Sequence, residues 1–280
     1  MIDLHAHSTI SDGTLTPSEI IIRAKAKGLS AIALTDHDSI DGLDEAQATA
    51  QAMGITFVKG IEFSVTYGDG RLIHLLGLGI DTKCEGFMTR YLNYRKERSS
   101  KLEPVFEQLK SMGVTIVAEE VMPFVVGDYM DRQAIAKYLV HNGYVEMMKF
   151  AWINYLDHIP YAEGELIDPQ KAIDAIHAGG GKVFMAHFHL NIGLKGYSED
   201  LVDAKLRELK DMGLDGLEYF YPSFTKEDQL KCSQYIKKYD FLESGGTDFH
   251  GANRGHIDLG IGEGDFRVPD RLLEPILREY

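Results

Sequence analysis

The sequence predicts an α/β fold built on a mostly parallel sheet, open or closed into a barrel. Two observations predict it. Short apolar strand-like runs alternate with helical segments at both ends of the 280-residue chain, and imidazole or carboxylate side chains stand where those runs end. An apolar fraction of 44% is enough for a sizeable core.

Each element has its own signal. Ile2 to His5 reads as the first strand. Thr16, Pro17, Ser18 and Glu19 make a capping box with proline at the first helical position; Ile20, Ile21 and Ala24 supply an apolar face, and Gly28 stops the helix. Ala31 to Thr35 is the next strand, and a helix from Leu43 to Met53 ends at Gly54. Ile55 to Val58, Ile61 to Ser64 and Leu72 to Leu78 are extended. The alternation resumes with a helix after Pro169, a strand Lys182 to Ala186, a helix ending near Met212, a strand Gly216 to Tyr219, a helix to Lys238 and a strand Phe241 to Ser244.

Residues 85–168 break this rhythm. Their pattern is helical and aromatic, with Tyr91, Tyr94, Phe106, Tyr138, Phe150, Trp152 and Tyr155 as core candidates and strand character only at Val114 to Val117. The chain therefore divides into a first sheet portion (1–84), a mostly helical insertion or cap (85–168) and a second sheet portion (169–280).

A net charge of −14 argues against a long nucleic acid as partner, because such binders present a basic face to the phosphate backbone. A small anionic substrate stays compatible, since bound divalent ions reverse the local potential. Cys84 and Cys232 lie far apart with no CxxC spacing, and neither a leader nor a membrane-length apolar run is read. A cytoplasmic protein with no membrane association, monomeric or a small homo-oligomer, is the expectation.

His5 and His7 follow the first strand, with Asp12 close behind. Asp36, His37 and Asp38 follow the second; Glu62 sits in GIEFS, His74 in LIHLLGLG, His187 in VFMAHF, and Asp248 and His250 in GGTDFH. In a parallel barrel such strand ends converge on one face. Two imidazoles two residues apart on an extended backbone point the same way. Six histidines with Asp12, Glu62 and Asp248 suit two or three ions sharing carboxylates, and nitrogen and oxygen donors without thiolate fit manganese, zinc or iron. His189 and His256 are weaker candidates; His141, His158 and His177 lie in helical surroundings.

Taken together, DLHAHSTISDGTLTP, ALTDHDSIDG, GIEFS, MAHF, GLDGLEYFYP and GGTDFHG resemble the PHP (polymerase and histidinol phosphatase) family, over both sheet portions. The resemblance implies a distorted (β/α)7 barrel with a helical insertion and a trinuclear metal site, its ligands being His5, His7, Asp12, His37, Glu62, His74, His187, Asp248 and His250. The branch most resembled is that of the 3',5'-nucleoside bisphosphate phosphatases, which implies metal-dependent hydrolysis of a 3'-phosphate by ion-activated water. Histidinol-phosphate or 5'-nucleotide phosphatase activity, 5'-3' exonuclease action on short RNA, and amidohydrolysis are the alternatives.

Within this reading Glu62, Asp12 and His187 are the catalytic candidates, Glu62 as a bridging ligand and His187 as a proton donor to the leaving group. Arg132, Arg254 and His256 are the substrate-binding candidates, Arg132 for a second phosphate by bidentate contact. Two departures from the family pattern stand out: Gln133 and Ala134 where proline and histidine are usual, and Phe188 where proline usually follows the late Ala-His.

Overall fold

Seven strands, β1 (Ile2–Asp3), β2 (Ala31–Leu34), β3 (Thr56–Thr66), β4 (Leu72–Leu78), β5 (Lys182–Met185), β6 (Gly216–Phe220) and β7 (Leu242–Gly245), form one mixed sheet in chain order. The structure, a computed structural model, describes residues 1–264 and 266–277. Strands β1, β2 and β3 pair in parallel, β3 and β4 antiparallel, β4 and β5 antiparallel, and β5, β6 and β7 in parallel. So β4 alone runs against the rest. Its pairing with β3 sets Ser64 opposite His74.

The two extended runs expected at 55–58 and 61–64 are one continuous strand, β3. Gly60 does not interrupt it: a Cβ there would sit 2.8 Å from the Thr35 methyl and 2.9 Å from the Gly77 carbonyl oxygen, so a bare backbone is what lets the neighbours close in.

Helices α1 (Pro17–Ala26) and α2 (Leu43–Met53) connect the first strands. In α1 the Thr16 hydroxyl accepts from the Glu19 amide and the Glu19 carboxylate accepts from the Thr16 amide, while Gly54 ends α2 in the left-handed region at φ 61°. Chain reversal after β4 leads into α3 (Glu85–Ser99), α4 (Glu103–Ser111), α5 (Ala118–Val121), α6 (Arg132–His141) and α7 (Met148–Asn154). Helices α8 (Pro169–Ala178), α9 (Glu199–Met212) and α10 (Lys226–Tyr239) then alternate with β5, β6 and β7, and α11 (Leu273–Leu277) closes the described chain.

Two compact units result: Met1–Thr89 with the chain from Asp168 onward, and Arg90–Ile167. The first buries Ile2, Leu4, Ala31, Ala33, Val58, Leu76, Leu78, Phe184 and Ala186 in one cluster, with Val268, Leu272 and Ile276 from the last segment. The second buries Leu102, Val105, Leu109, Val121, Ile135, Leu139 and Leu156, with Phe106, Trp152 and Tyr155 packed against them. Val114 to Val117 is not a strand; among its described residues the second unit contains helices and turns, so an isolated alternating run has nothing to pair with. No described helix is long and apolar enough to cross a membrane.

Candidate metal centre

The first unit collects its histidines and acids at one edge of the sheet. His5 and His7 lie just beyond β1 and are fully buried, their Nε2 atoms 3.1 Å apart. His37 follows β2, Glu62 lies within β3, His187 follows β5, and Asp248 and His250 follow β7. His74 is near the beginning of β4. Because β4 is reversed, its beginning lies at the edge where the parallel strands end, so the expectation of shared strand ends is corrected in its reason for His74 while the residue still joins the others.

Three overlapping donor groups stand within 4.8 Å: His7, Asp12, His37 and His250; His5, His7, Glu62 and Asp248; and His37, Glu62 and His74. In the second group the His5 and His7 Nε2 atoms lie 3.2–3.3 Å from Glu62 Oε2 and 3.3 Å from Asp248 Oδ1. Ligand bonds of about 2.0–2.1 Å give a tetrahedron with edges of roughly 3.3–3.4 Å, so four donors at this spacing fit one ion. His7 falls in two groups, but a neutral imidazole has one lone pair and serves one of them.

Glu62 is the hinge of the cluster. Its Oε2 faces His5, His7 and His37, the last at 3.1 Å, and its Oε1 faces His74 at 3.1 Å and His187 at 3.2 Å. Yet Oε2 and the His37 Nδ1 are both buried without an aligned hydrogen bond. Orphaned buried acceptors are costly, and atoms converging on a common point instead of on each other are what a cation pairs. The residues present therefore fit divalent ions.

Electrostatics agree. Burial opposes the charge on Glu62, but the imidazoles of His74 and His5 hold its carboxyl well below the usual range. Burial also disfavours charge on His7, yet its hydrogen bonds to Asp248 and Glu62 raise it to about 10. His37 is pushed by burial down to about 3 against the pull of Glu62 and Asp12, so its ring is neutral and its lone pair available. To hold a cation His7 would have to give up its proton, which would couple ion uptake to proton release.

A second layer, to which the sequence assigns no role, fixes these candidate donors. Asp36 accepts from the Ser8 amide and hydroxyl, both at 2.7 Å, and from the Ser11 amide at 3.2 Å and hydroxyl at 2.7 Å, pinning the turn between His7 and Asp12. Asp3 accepts from the Thr247 amide at 2.9 Å and hydroxyl at 2.6 Å, tying the first strand to the segment that carries Asp248. Tyr221 donates to Asp248 Oδ2 at 2.8 Å, leaving Oδ1 for the cluster. The Glu218 carboxylate lies between His5 and the His187 backbone. The sequence signals for Glu218 are its place in GLDGLEYFYP and an acid inside an otherwise apolar strand.

The backbone is strained here. Of the four described non-glycine residues with positive φ, Asp38 (52°), His187 (27°) and Asp248 (52°) all lie at this edge. A Cβ on Gly246 would collide with His5, and one on Gly13 with the His7 carbonyl, so glycine permits both approaches.

The substrate-binding candidates are placed differently from expectation. Arg132 belongs to the second unit's core and is fully buried. Its Nε and Nη2 donate to Glu165, Nη1 donates to the carbonyls of Leu156 at 3.0 Å and Ile159 at 2.7 Å, and Nη2 donates to that of Pro160 at 3.0 Å. All five N–H groups are engaged, which corrects the expected phosphate contact: the guanidinium has no donor to spare. Arg254 Nη1 donates to Asp248 Oδ2, to the Asp248 carbonyl at 3.0 Å and to the Tyr221 hydroxyl at 3.2 Å, which sets the guanidinium against the candidate donor Asp248. His256 is a surface side chain, 64% exposed, 3.4 Å from Glu263. His189 packs on Phe224 at 3.7 Å between ring centroids and faces Asp228 at 3.9 Å, outside all three donor groups. Phe188 is buried against Phe224 and Tyr235, and Gln133 and Ala134 are buried in α6.

Comparison with known proteins agrees with this geometry. A sequence profile of the PHP domain matches residues 3–149. A 5'-3' exoribonuclease of Haemophilus influenzae is 35% identical over 262 residues, 92% of each chain. A 3',5'-nucleoside bisphosphate phosphatase of Chromobacterium violaceum is 31% identical over 262 residues, 92% of this chain and 90% of that one. Among solved structures, a Chromobacterium violaceum protein described as an amidohydrolase, with bound sulfate and no metal, superposes with a TM-score of 0.81 at 30% identity, covering 99% of this chain and 97% of that one. A sheet edge crowded with imidazoles and carboxylates, the profile match and near full-length relatives lead to one conclusion: the chain belongs to the PHP domain family of phosphoester hydrolases.

Proposed function

We propose that this chain removes the 3'-phosphate of a nucleoside 3',5'-bisphosphate, using two or three divalent ions held by His5, His7, Asp12, His37, Glu62, His74, Asp248 and His250, with His187 beside them. The observation that carries the reading is the meeting of three donor groups around buried Glu62. Divalent ions bound there supply Lewis acidity, a lowered pKa for water and compensation of charge on the leaving oxygen.

The chain's own residues complete the chemistry. Glu62 offers one oxygen to each side of the cluster and would hold an ion on each. His187 stands outside the three groups, and its Nδ1 donates to the Ile192 carbonyl at 3.0 Å; its Nε2 faces the cluster and delivers a proton to the leaving oxygen. Asp12, whose side chain is 18% exposed and is the most accessible of its donor group, accepts the proton of the attacking water at the rim. Closure of the sheet into a distorted barrel fits the same reading: Leu4 N donates to the Gly245 carbonyl at 3.1 Å, His7 N to that of Phe249 at 2.8 Å, and Ala6 bridges Phe249 in parallel. Two free cysteines suit a reducing cytoplasm.

A second reading, removal of nucleotides from the 5' end of short RNA, is favoured by the 35% identical exoribonuclease. The net charge of −14 opposes long substrates in either case. The test is phosphate and nucleotide release by manganese-reconstituted protein from a nucleoside 3',5'-bisphosphate, a 5'-monophosphate, histidinol phosphate and a short 5'-phosphorylated RNA, with His5→Ala as control. Preference for the bisphosphate, lost in the control, supports the proposal. Mononucleotide release from the RNA at a higher kcat/KM replaces it with the second reading.

A further inference from the structure

We propose that Glu218 is a positioning residue that sets the tautomer of His5 and the backbone of His187 together, and thereby governs the ion to which His5 contributes; this rests on reading the cluster as a metal centre. Glu218 lies in β6 and is fully buried. Its Oε2 accepts from the His187 backbone amide at 2.8 Å, and its Oε1 is 2.9 Å from His5 Nδ1. A backbone N–H only donates, so the direction of the first bond is fixed.

The second bond is then fixed in turn. With both carboxylate oxygens acting as acceptors, His5 carries its proton on Nδ1 and turns the Nε2 lone pair toward Glu62, His7 and Asp248. The same carboxylate holds His187 at φ 27°, a conformation an L-residue seldom adopts unassisted. Two site residues 182 positions apart, His5 and His187, therefore depend on one side chain. Only a carboxylate accepts from both.

Glutamine, identical in shape, cannot. With its oxygen toward the His187 amide, its NH2 faces His5 Nδ1 and drives the ring proton onto Nε2, where it blocks a ligand position. Turned over, it sets two donors against each other at His187 and releases the strained loop. Either way one site residue is lost.

The experiment is a chelator-competition titration of manganese into wild type and Glu218→Gln, with visible spectra of the cobalt-substituted proteins and thermal midpoints of the metal-free ones. The expected result is a ten- to hundred-fold weaker affinity for one ion, the effect typical of a ligand's hydrogen-bonded partner, with an altered cobalt spectrum. Glu218→Asp, which keeps the charge but is one methylene too short to reach both partners, weakens the same ion and covers the case in which the glutamine variant does not fold. Unchanged affinity and spectrum in a folded variant, whatever its thermal midpoint, overturns the proposal. Wild-type protein that binds no divalent ion overturns the metal-centre reading instead.

Discussion

Replacing Glu165 with alanine tests whether Arg132 holds the second unit together or serves substrate. In the native protein the Glu165 carboxylate is fully buried and accepts from Arg132 Nε, from Arg132 Nη2 at 2.9 Å and from the Ala162 amide at 3.0 Å. Glu165→Ala strands a guanidinium charge at a site with no solvent exposure and leaves three N–H groups without acceptors. Breaking one side of such a buried pair costs about 3–5 kcal/mol, a large share of a typical 5–15 kcal/mol stability. With an m-value of about 2–3 kcal/mol/M in urea, the midpoint falls by roughly 1–2.5 M. The assay is built in: Trp152 is the single tryptophan and packs against the second unit's core, so its fluorescence follows that unit. The double replacement Arg132→Met with Glu165→Leu recovers only part of the loss: it removes the stranded charge but leaves the Leu156, Ile159 and Pro160 carbonyls and the Ala162 amide without these partners. An unmoved midpoint in Glu165→Ala, together with a raised KM for doubly phosphorylated substrates in Arg132→Ala, would refute the structural assignment of Arg132.

Asp36→Ala removes four hydrogen bonds from the turn carrying Asp12 and lowers manganese affinity about ten- to hundred-fold, as chelator competition will register; equal affinity would show that the turn holds itself. Saturating the wild type with manganese at about 100 times its Kd raises stability by about 2.7 kcal/mol, and stripping it with chelator lowers the thermal midpoint to that of His7→Ala; insensitivity to chelator would contradict binding to the folded state. The Tyr197 hydroxyl and then Lys205 hold Asp69 down at about 2. A carboxyl depressed on folding contributes stability that is fully present above its unfolded pKa and lost as pH falls through the folded one, so this contribution disappears between about pH 4 and pH 2. Asp69→Asn abolishes that acid limb, and an identical acid-unfolding curve would exclude the linkage.

Much of the centre is legible in the sequence because its candidate donors obey local rules. His5 and His7 share a face by the two-residue period of extended chain, and His37, His187, Asp248 and His250 follow strands whose boundaries apolar runs and glycines mark. Direction is not local: nothing in LIHLLGLG distinguishes a parallel from an antiparallel β4, since the alternation is the same for both. The second layer is hidden for a related reason. Asp36, Asp3 and Glu218 act on amides and hydroxyls as far as 257 positions away, so only the folded chain gives them this role. Arg132 reads as a phosphate contact because its partner lies 33 positions later in a segment with no pattern at all. Gly60 reads as a break although close strand contact requires it.

The reach of the centre, from His5 to His250, has a kinetic consequence. Its donor atoms come from segments at both ends of the chain, so nearly the whole chain is in place before the cluster exists. Contacts of such sequence separation are closed late and slow folding. Ions that bind only the completed cluster cannot speed its assembly, but they must leave or be exposed before the sheet opens. Ions held there would therefore act on the unfolding limb, as a brake on unfolding and on exposure to proteases.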